Sequence, residues 1–135
     1  MEKNEEKLPD GEYRTYYSDR TLKGVYQIKD GKKNGPFTEY EAHSDQVKRS
    51  GSYLNDQLDG EVIVKGMLEE TTSHYKNGKL HGEYSVEGKF GDKEKREYQD
   101  GILMFKKVTS NIADIEMEYK DGKEYNGHYK IDRIL

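Results

Sequence analysis

The chain contains no cysteine among its 135 residues. That excludes disulfides, cysteine-ligated zinc and thiol catalysis. Tryptophan is also missing, and no apolar run reaches the length of a membrane-spanning helix or the core of a signal peptide. Leu, Ile, Val and Phe together supply 24 of the 135 residues, about 18%, a level at which disorder becomes a serious expectation. Disorder also requires high net charge and few aromatics. Here the net charge is only −4 and there are twelve tyrosines. The composition therefore predicts one folded domain with a thin core, in which Tyr takes the place of aliphatic residues. A Tyr ring buries a large area while its hydroxyl stays wet. Mild acidity argues against nucleic acid as the main partner.

What the chain does have is Asx-Gly. Asp-Gly begins at Asp10, Asp30, Asp59, Asp100 and Asp121, and Asn-Gly at Asn34, Asn77 and Asn126. Each is a short-range hairpin signal when strand-like residues flank it. Such density calls for a search for periodicity. Taking YKNGKLHGEY, Tyr75 to Tyr84, as reference, equivalent anchors are Ile28, Tyr53, Tyr98 and Tyr119, spaced 25, 22, 23 and 21 residues apart along the chain. The shared frame is an aromatic or apolar residue, any residue, Asx-Gly, three residues, Gly, one residue, and an aromatic or apolar residue.

Gly31, Gly35 and Phe37 fit that frame, as do Gly78, Gly82 and Tyr84. The second unit has Asp56 in place of the first glycine, then Gly60 and Val62. The fourth keeps only Gly101. The fifth is one residue longer, with Gly122, Gly127 and Tyr129. Gly11-Glu12-Tyr13 matches Gly82-Glu83-Tyr84, so a half unit leads about five imperfect copies. The charged stretch over residues 1–10 reads as a flexible spacer, and the repeat domain as residues 11–135.

The flanks alternate with period two. In Ile115-Glu116-Met117-Glu118-Tyr119 one face is apolar and the other acidic. The continuous run Val62-Ile63-Val64 suggests burial on both faces. Met67 to Thr72 has room for a helical turn or two at most. The predicted fold is all-β: an elongated antiparallel meander of stacked β-hairpins in a single sheet. Its inner face carries Tyr, Phe, Val and Ile, and its outer face Lys, Glu and Asp. A lone hairpin is marginal in water, so each unit depends on its neighbours. The end strands remain open edges, and Tyr129 to Leu135 is expected to act as an end cap.

The stretch YKNGKLHGEY resembles the MORN repeat, and with GSYLNDQLDGE it is similar to the variant found in bacterial YwqK-family antitoxins. The resemblance covers roughly residues 24–129. It implies a rod-like stack of hairpins, and a role as protein-binding scaffold, membrane-associated platform or antitoxin/immunity protein. The reading that follows is a non-catalytic protein-binding module, in particular an antitoxin or immunity protein that caps a partner protein. The alternative is a structural scaffold at a membrane or in the envelope. Location in the cytoplasm is compatible with the missing cysteines, and the cell envelope or periplasm is the alternative if an N-terminal signal has been removed.

No catalytic constellation, cofactor motif or metal spacing emerges. The histidines His43, His74, His81 and His128 lack ligand spacing. Gly88 to Lys93 lacks the spacing and the terminal Lys-Ser/Thr of a phosphate loop. The expected partner-binding residues are the tyrosines outside the strict frame, Tyr16, Tyr17, Tyr40 and Tyr125, together with the acidic pair Glu116 and Glu118. Tyr is a residue type that anchors interfaces. The glycines Gly31, Gly35, Gly60, Gly78, Gly82, Gly101, Gly122 and Gly127 are read as structural turn residues. Lys32, Lys79 and Lys123 each follow a turn glycine, which predicts a lysine row on one rim, able to touch anionic lipid.

Overall fold

The computed structural model of the protein describes residues 8–110, 113–120 and 123–130, with residues 124–130 described by backbone alone. All regular structure in it is β. The leading strand is β1 (Gly11–Tyr16). The first hairpin holds β2 (Leu22–Lys29), β3 (Lys32–Lys33) and β4 (Gly35–Tyr40), and the second β5 (Val47–Leu54), β6 (Gln57–Leu58) and β7 (Gly60–Lys65). The third holds β8 (Glu69–Lys76), β9 (Lys79–Leu80) and β10 (Gly82–Gly88). The fourth is β11 (Lys93–Gln99) with β12 (Ile102–Thr109), and the fifth β13 (Asp114–Lys120) with β14 (Lys123–Lys130).

The strands form one open antiparallel sheet in chain order, β1-β2-β4-β5-β7-β8-β10-β11-β12-β13-β14, with β3, β6 and β9 pairing back on β2, β5 and β8. At the usual strand spacing the sheet runs roughly 48 Å from β1 to β14. The predicted single-sheet meander is therefore the observed fold. Met67 to Thr72 is not helical, since β8 begins at Glu69. Of the proposed cap, Tyr129 and Lys130 end β14, and residues 131–135 lie outside the described residues.

Two local devices build each of the first three hairpins, and only one of them is a turn. At the tips, Asp30-Gly31, Asn55-Asp56, Asn77-Gly78 and Asp100-Gly101 all have positive φ at both residues. That is the signature of the two-residue turn whose twist matches a hairpin. Asp56 holds φ 69° where the sister turns have glycine. Gly35, Gly60 and Gly82 were expected in turns, but they open the return strands β4, β7 and β10. Ile28 pairs with Lys33 and Val25 with Thr38, so the return strand carries two extra residues between these pairs. The glycine, with φ 112° at Gly35 and 93° at Gly82, absorbs this bulge. Gly11 repeats the conformation at φ 123°, which supports the leading half unit.

The fourth and fifth hairpins bulge without that glycine. Tyr98 pairs with Leu103 and Glu97 with Phe105, leaving Met104 as the extra residue. Tyr119 pairs with Glu124 and Glu118 with Asn126, leaving Tyr125 as the extra one. Gly127 accordingly is not a turn residue either, and lies in β14 opposite Met117. Gly122 lies outside the described residues.

Cross-strand partners share a face, so register separates the two faces. One face carries Tyr26, Ile28, Phe37 and Val62, the buried apolar residues of the described chain. Tyr26 stacks on Phe37 with centroids 6.1 Å apart, and Phe37 meets Tyr53 at 4.7 Å. Gly24 and Gly51 make room for these rings. A Cβ on Gly24 would fall 2.8 Å from the Tyr26 ring, and one on Gly51 would fall 2.9 Å from Val62 and 3.1 Å from Phe37.

This face is not purely apolar, contrary to expectation. Glu39 accepts from Tyr26 Oη at 2.6 Å and from Arg49 at 3.1 Å. Burial pushes the Tyr26 hydroxyl well above the ordinary tyrosine range, and the Glu39 hydrogen bond pushes it further. Lys33 Nζ sits over the rings of Tyr26 and Tyr53. Farther along, Glu94 binds Arg96 and Lys106, each at 3.1 Å, while Arg96 lies over the Tyr84 ring and donates to Tyr98 Oη. With one sheet layer, this face stays partly hydrated. Paired charges are tolerated there because water still shares their solvation.

Candidate interaction surface

The sheet has two unlike rims. The tip rim is stapled from hairpin to hairpin. The backbone N–H of the second turn residue donates to a carbonyl of the preceding hairpin: Asp56 to Lys33 at 2.9 Å, Gly78 to Leu58 at 3.3 Å, and Gly101 to Leu80 at 2.7 Å. At three of the four bulge glycines the preceding residue adds a side-chain contact. Asp10 Oδ1 accepts from the Asp30 N–H at 2.8 Å, Asn34 Nδ2 reaches Asn55 Oδ1 at 3.5 Å, and His81 Nδ1 accepts from the Asp100 N–H at 3.2 Å. Asp10, placed in the spacer by the sequence reading, is thus bonded into the repeat. His81 falls in the bulge slot that Asn34 and Asp59 occupy in the first two hairpins.

The opposite rim carries the longer loops and the four most exposed large apolar side chains among the described residues. The β1–β2 and β10–β11 loops share one geometry. Tyr17 and Gly88 each donate their N–H four residues forward, to Thr21 O and Asp92 O, and Arg20 and Gly91 adopt positive φ. A three-residue hairpin loop closing on a left-handed residue has this form. In the first loop Asp19 accepts from the Thr21 hydroxyl at 2.6 Å and from its N–H at 3.0 Å. These bonds, with a contact from His43, hold the Asp19 carboxyl below its ordinary range. The β10–β11 loop places Phe90 at its apex, 73% exposed. Between these loops, Gly66 closes on Glu69 O at 2.8 Å and presents Met67 and Leu68, 92% and 58% exposed. Lys89 N–H donates to Leu68 O at 2.8 Å, which holds the Met67-Leu68 and Phe90 loops side by side.

Three of the sequence candidates fall on this rim and are brought together. Tyr16 is exposed at the end of β1, paired with Leu22. Tyr17 Oη donates to the Tyr40 carbonyl at 2.6 Å, and Tyr40 pairs with Val47. Beside them lies a hollow of about 520 Å³ lined by Thr21, Leu22, Tyr40, His43, Ser44 and Asp45. Glu116 and Glu118 lie elsewhere, on β13, roughly 34 Å along the sheet from β4. Glu116 pairs with Lys107 at 3.2 Å, and Glu118 sits opposite Phe105. The six candidates therefore do not form one site. The side chain of Tyr125 lies outside the described residues.

The lysine row is broken. Lys32 and Lys79 occupy equivalent slots, but Gln57 and Ile102 fill that slot in the hairpins between and after them, so the lysines occur only in alternate hairpins. Among the described residues no three His, Asp or Glu side chains converge as a metal site. No helix in them is long and apolar enough to cross a membrane.

Sequence reasoning missed Met67, Leu68 and Phe90. Their signal was available: each is an apolar residue in a short Gly-bounded gap between strands, where burial is not expected. A Leu at the fifth position after the anchor, as in Leu58, Leu80 and Leu103, was also missed. Each pairs with its anchor across the hairpin: Tyr53 with Leu58, Tyr75 with Leu80, and Tyr98 with Leu103. Lys33 holds that slot in the first hairpin. The architecture defines a single-layer β-hairpin repeat protein. No protein-family model and no curated protein matches the chain.

Proposed function

We propose that this chain is a non-catalytic, MORN-like protein-binding module that caps a partner protein with its long-loop rim, in the manner of an antitoxin or immunity protein. The observation that carries this reading is the row of exposed apolar residues on that rim: Tyr16, Met67, Leu68 and Phe90. Exposed apolar groups gathered on one rim mark an interaction site more often than scattered ones do. Interleaved charges, Lys65, Glu69, Glu70, Lys89 and Asp92, supply the polar surround such interfaces have. Among the described residues the tip rim exposes Leu54 and Ile102 to a lesser degree, 48% and 45%, and its polar groups are engaged in stapling one hairpin to the next. The alternation of Lys32 and Lys79 with Gln57 and Ile102 disfavours the lipid-surface alternative.

The test is an affinity capture from native lysate with two baits, the wild-type chain and Met67→Glu/Phe90→Glu. The expected result is one stoichiometric protein held by the first bait and lost with the second, with identical circular dichroism for both baits. Equal capture by the two baits places the interface elsewhere. Binding only to anionic vesicles, lost at high salt, sinks the protein-partner reading.

A further inference from the structure

We propose that two copies of this chain pair through β1, antiparallel about a two-fold axis at Tyr13. The proposal does not rest on the long-loop rim.

Among the described residues β1 has a neighbour on one side only. Its hydrogen-bonding parity follows from one bond. The Asn34 N–H donates to Gln27 O, so the backbone groups of Gln27 face the return strand. Alternation turns those of Tyr26 and Ile28 toward β1. Their partners, Tyr13 and Gly11, therefore face β2. Glu12 and Arg14 point their N–H and C=O groups away from the sheet, where a further strand can take them.

The side chains of β1 show the same incompleteness. Tyr13, Phe37 and Val62 each stand two residues after a bulge glycine. Phe37 and Val62 are 3% and 2% exposed, whereas Tyr13 is 39% exposed. Phe37 and Val62 have a strand on either side, and Tyr13 lacks one. A strand laid against β1 would cover it.

The sequence of β1 selects a second copy as that strand. Glu12, Arg14 and, by the same alternation, Tyr16 expose backbone groups, so an antiparallel copy can pair in a few registers; the one centred on Thr15 sets Arg14 against the partner's Tyr16 and pairs no charges. Centring on Glu12 places two glutamates opposite each other, and centring on Arg14 places two arginines opposite. Like charges directly opposed are destabilising. Centring on Tyr13 sets Glu12 against the partner's Arg14, and Arg14 against the partner's Glu12. Both charge pairs then occupy hydrogen-bonded positions. The two tyrosines face each other at a non-hydrogen-bonded position, where side chains approach more closely. Within one chain Arg14 Nε already lies 2.8 Å from Glu12 Oε2, so pairing would assemble four alternating charges. The contact is self-complementary and closes at two copies. Strand addition of this kind takes its affinity from main-chain hydrogen bonds.

The experiment is sedimentation velocity of the full chain between about 5 and about 200 µM, where weak contacts of this size are populated. Wild type should pass from monomer to dimer and stop there. Glu12→Arg and Arg14→Glu should each be monomeric with unchanged circular dichroism. The double swap Glu12→Arg/Arg14→Glu, and an equimolar mixture of the two single variants, should each recover the dimer. As a check that needs no variant, the Glu12 and Arg14 amides should gain protection from hydrogen exchange with concentration, while the Tyr13 amide is protected throughout. A wild-type monomer at the highest concentration overturns the proposal. So does a dimer that survives both single reversals, a charge swap that fails to recover pairing, or growth without limit through β14 of the next copy.

Discussion

Asp56 and Lys33, in neighbouring hairpins, bind each other twice. The Asp56 N–H donates to the Lys33 carbonyl at 2.9 Å, and the Lys33 N–H donates to Asp56 Oδ1 at 2.8 Å. The turns at Gly78 and Gly101 make the first bond but carry glycine where Asp56 stands, and so have no side chain for the second. A left-handed residue other than glycine carries a strain of order 1–2 kcal/mol, less for Asp and Asn than for other types. The carboxylate bond offsets that strain, which accounts for the departure of this turn from the repeat frame.

Replacing Asp56 by Ala keeps the left-handed strain and removes the second bond. The expected loss is about 1–2 kcal/mol. Asp56→Gly removes the bond but also the strain, and should lie within about 0.5 kcal/mol of wild type. Urea midpoints of the three proteins decide the matter. Equal losses for Ala and Gly would show that the carboxylate bond alone sets the stability of this turn.

Gly51 is required for space rather than for backbone conformation. Its missing Cβ would meet Val62 Cγ2 at 2.9 Å, the Glu61 carbonyl at 3.1 Å and Phe37 Cε1 at 3.1 Å. Gly51→Ala should destabilise by about 1–3 kcal/mol, as overpacking does. Val62→Ala opens part of that space, so the double variant should lose at least about 0.5 kcal/mol less than the sum of the two. At Gly60, with nothing within 4 Å and φ 81°, the cost of Ala arises from strain and should add to that of Val62→Ala. Strict additivity at both glycines would refute the steric account of Gly51.

These contrasts show what was legible in the sequence. Asx-Gly pairs at a recurrent spacing gave the hairpins, because a two-residue turn with positive φ demands those residue types. The same dipeptide also serves the bulge, as at Asn34-Gly35 and Asp59-Gly60, and the local residues of turn and bulge are alike. Only pairing partners separate them. Charges on the aromatic face were illegible for a related reason. Glu39 and Glu94 occupy inward positions by alternation, but a single-layer sheet keeps enough water near them for ion pairs to form. Of the residues on the long-loop rim, Tyr16, Tyr17 and Tyr40 stood out in the sequence because they break the frame. Phe90 and Met67 did not, since no frame covered the loops that carry them.

Glu94 makes the aromatic face sensitive to acid. Burial pushes its carboxyl up, but hydrogen bonds from Arg96 and Lys106 outweigh burial and hold it below its ordinary value of 4.5. A carboxyl lowered on folding contributes stability above its unfolded value and loses it as pH falls through the folded one. Wild type should therefore exceed Glu94→Gln in thermal midpoint at pH 7. The gap should close as pH falls below 4.5. A gap that is independent of pH would mean that Glu94 acts through packing rather than charge.

Phe37 and Phe90 separate the residues that hold the fold from those that do not. Phe37 is 3% exposed between Tyr26 and Tyr53, while Phe90 is 73% exposed at a loop tip. Phe37→Ala should cost about 3–5 kcal/mol, the usual range for a buried ring. Phe90→Ser removes little buried area and should change stability by no more than about 0.5 kcal/mol. Chemical denaturation of both variants measures this directly. If Phe90→Ser is neutral, folding gives no reason for an apolar ring at that position, and the ring stays available for the proposed partner contact. If it costs more than about 1 kcal/mol, the ring packs on its own sheet, and the rim loses its strongest claim to be an interface.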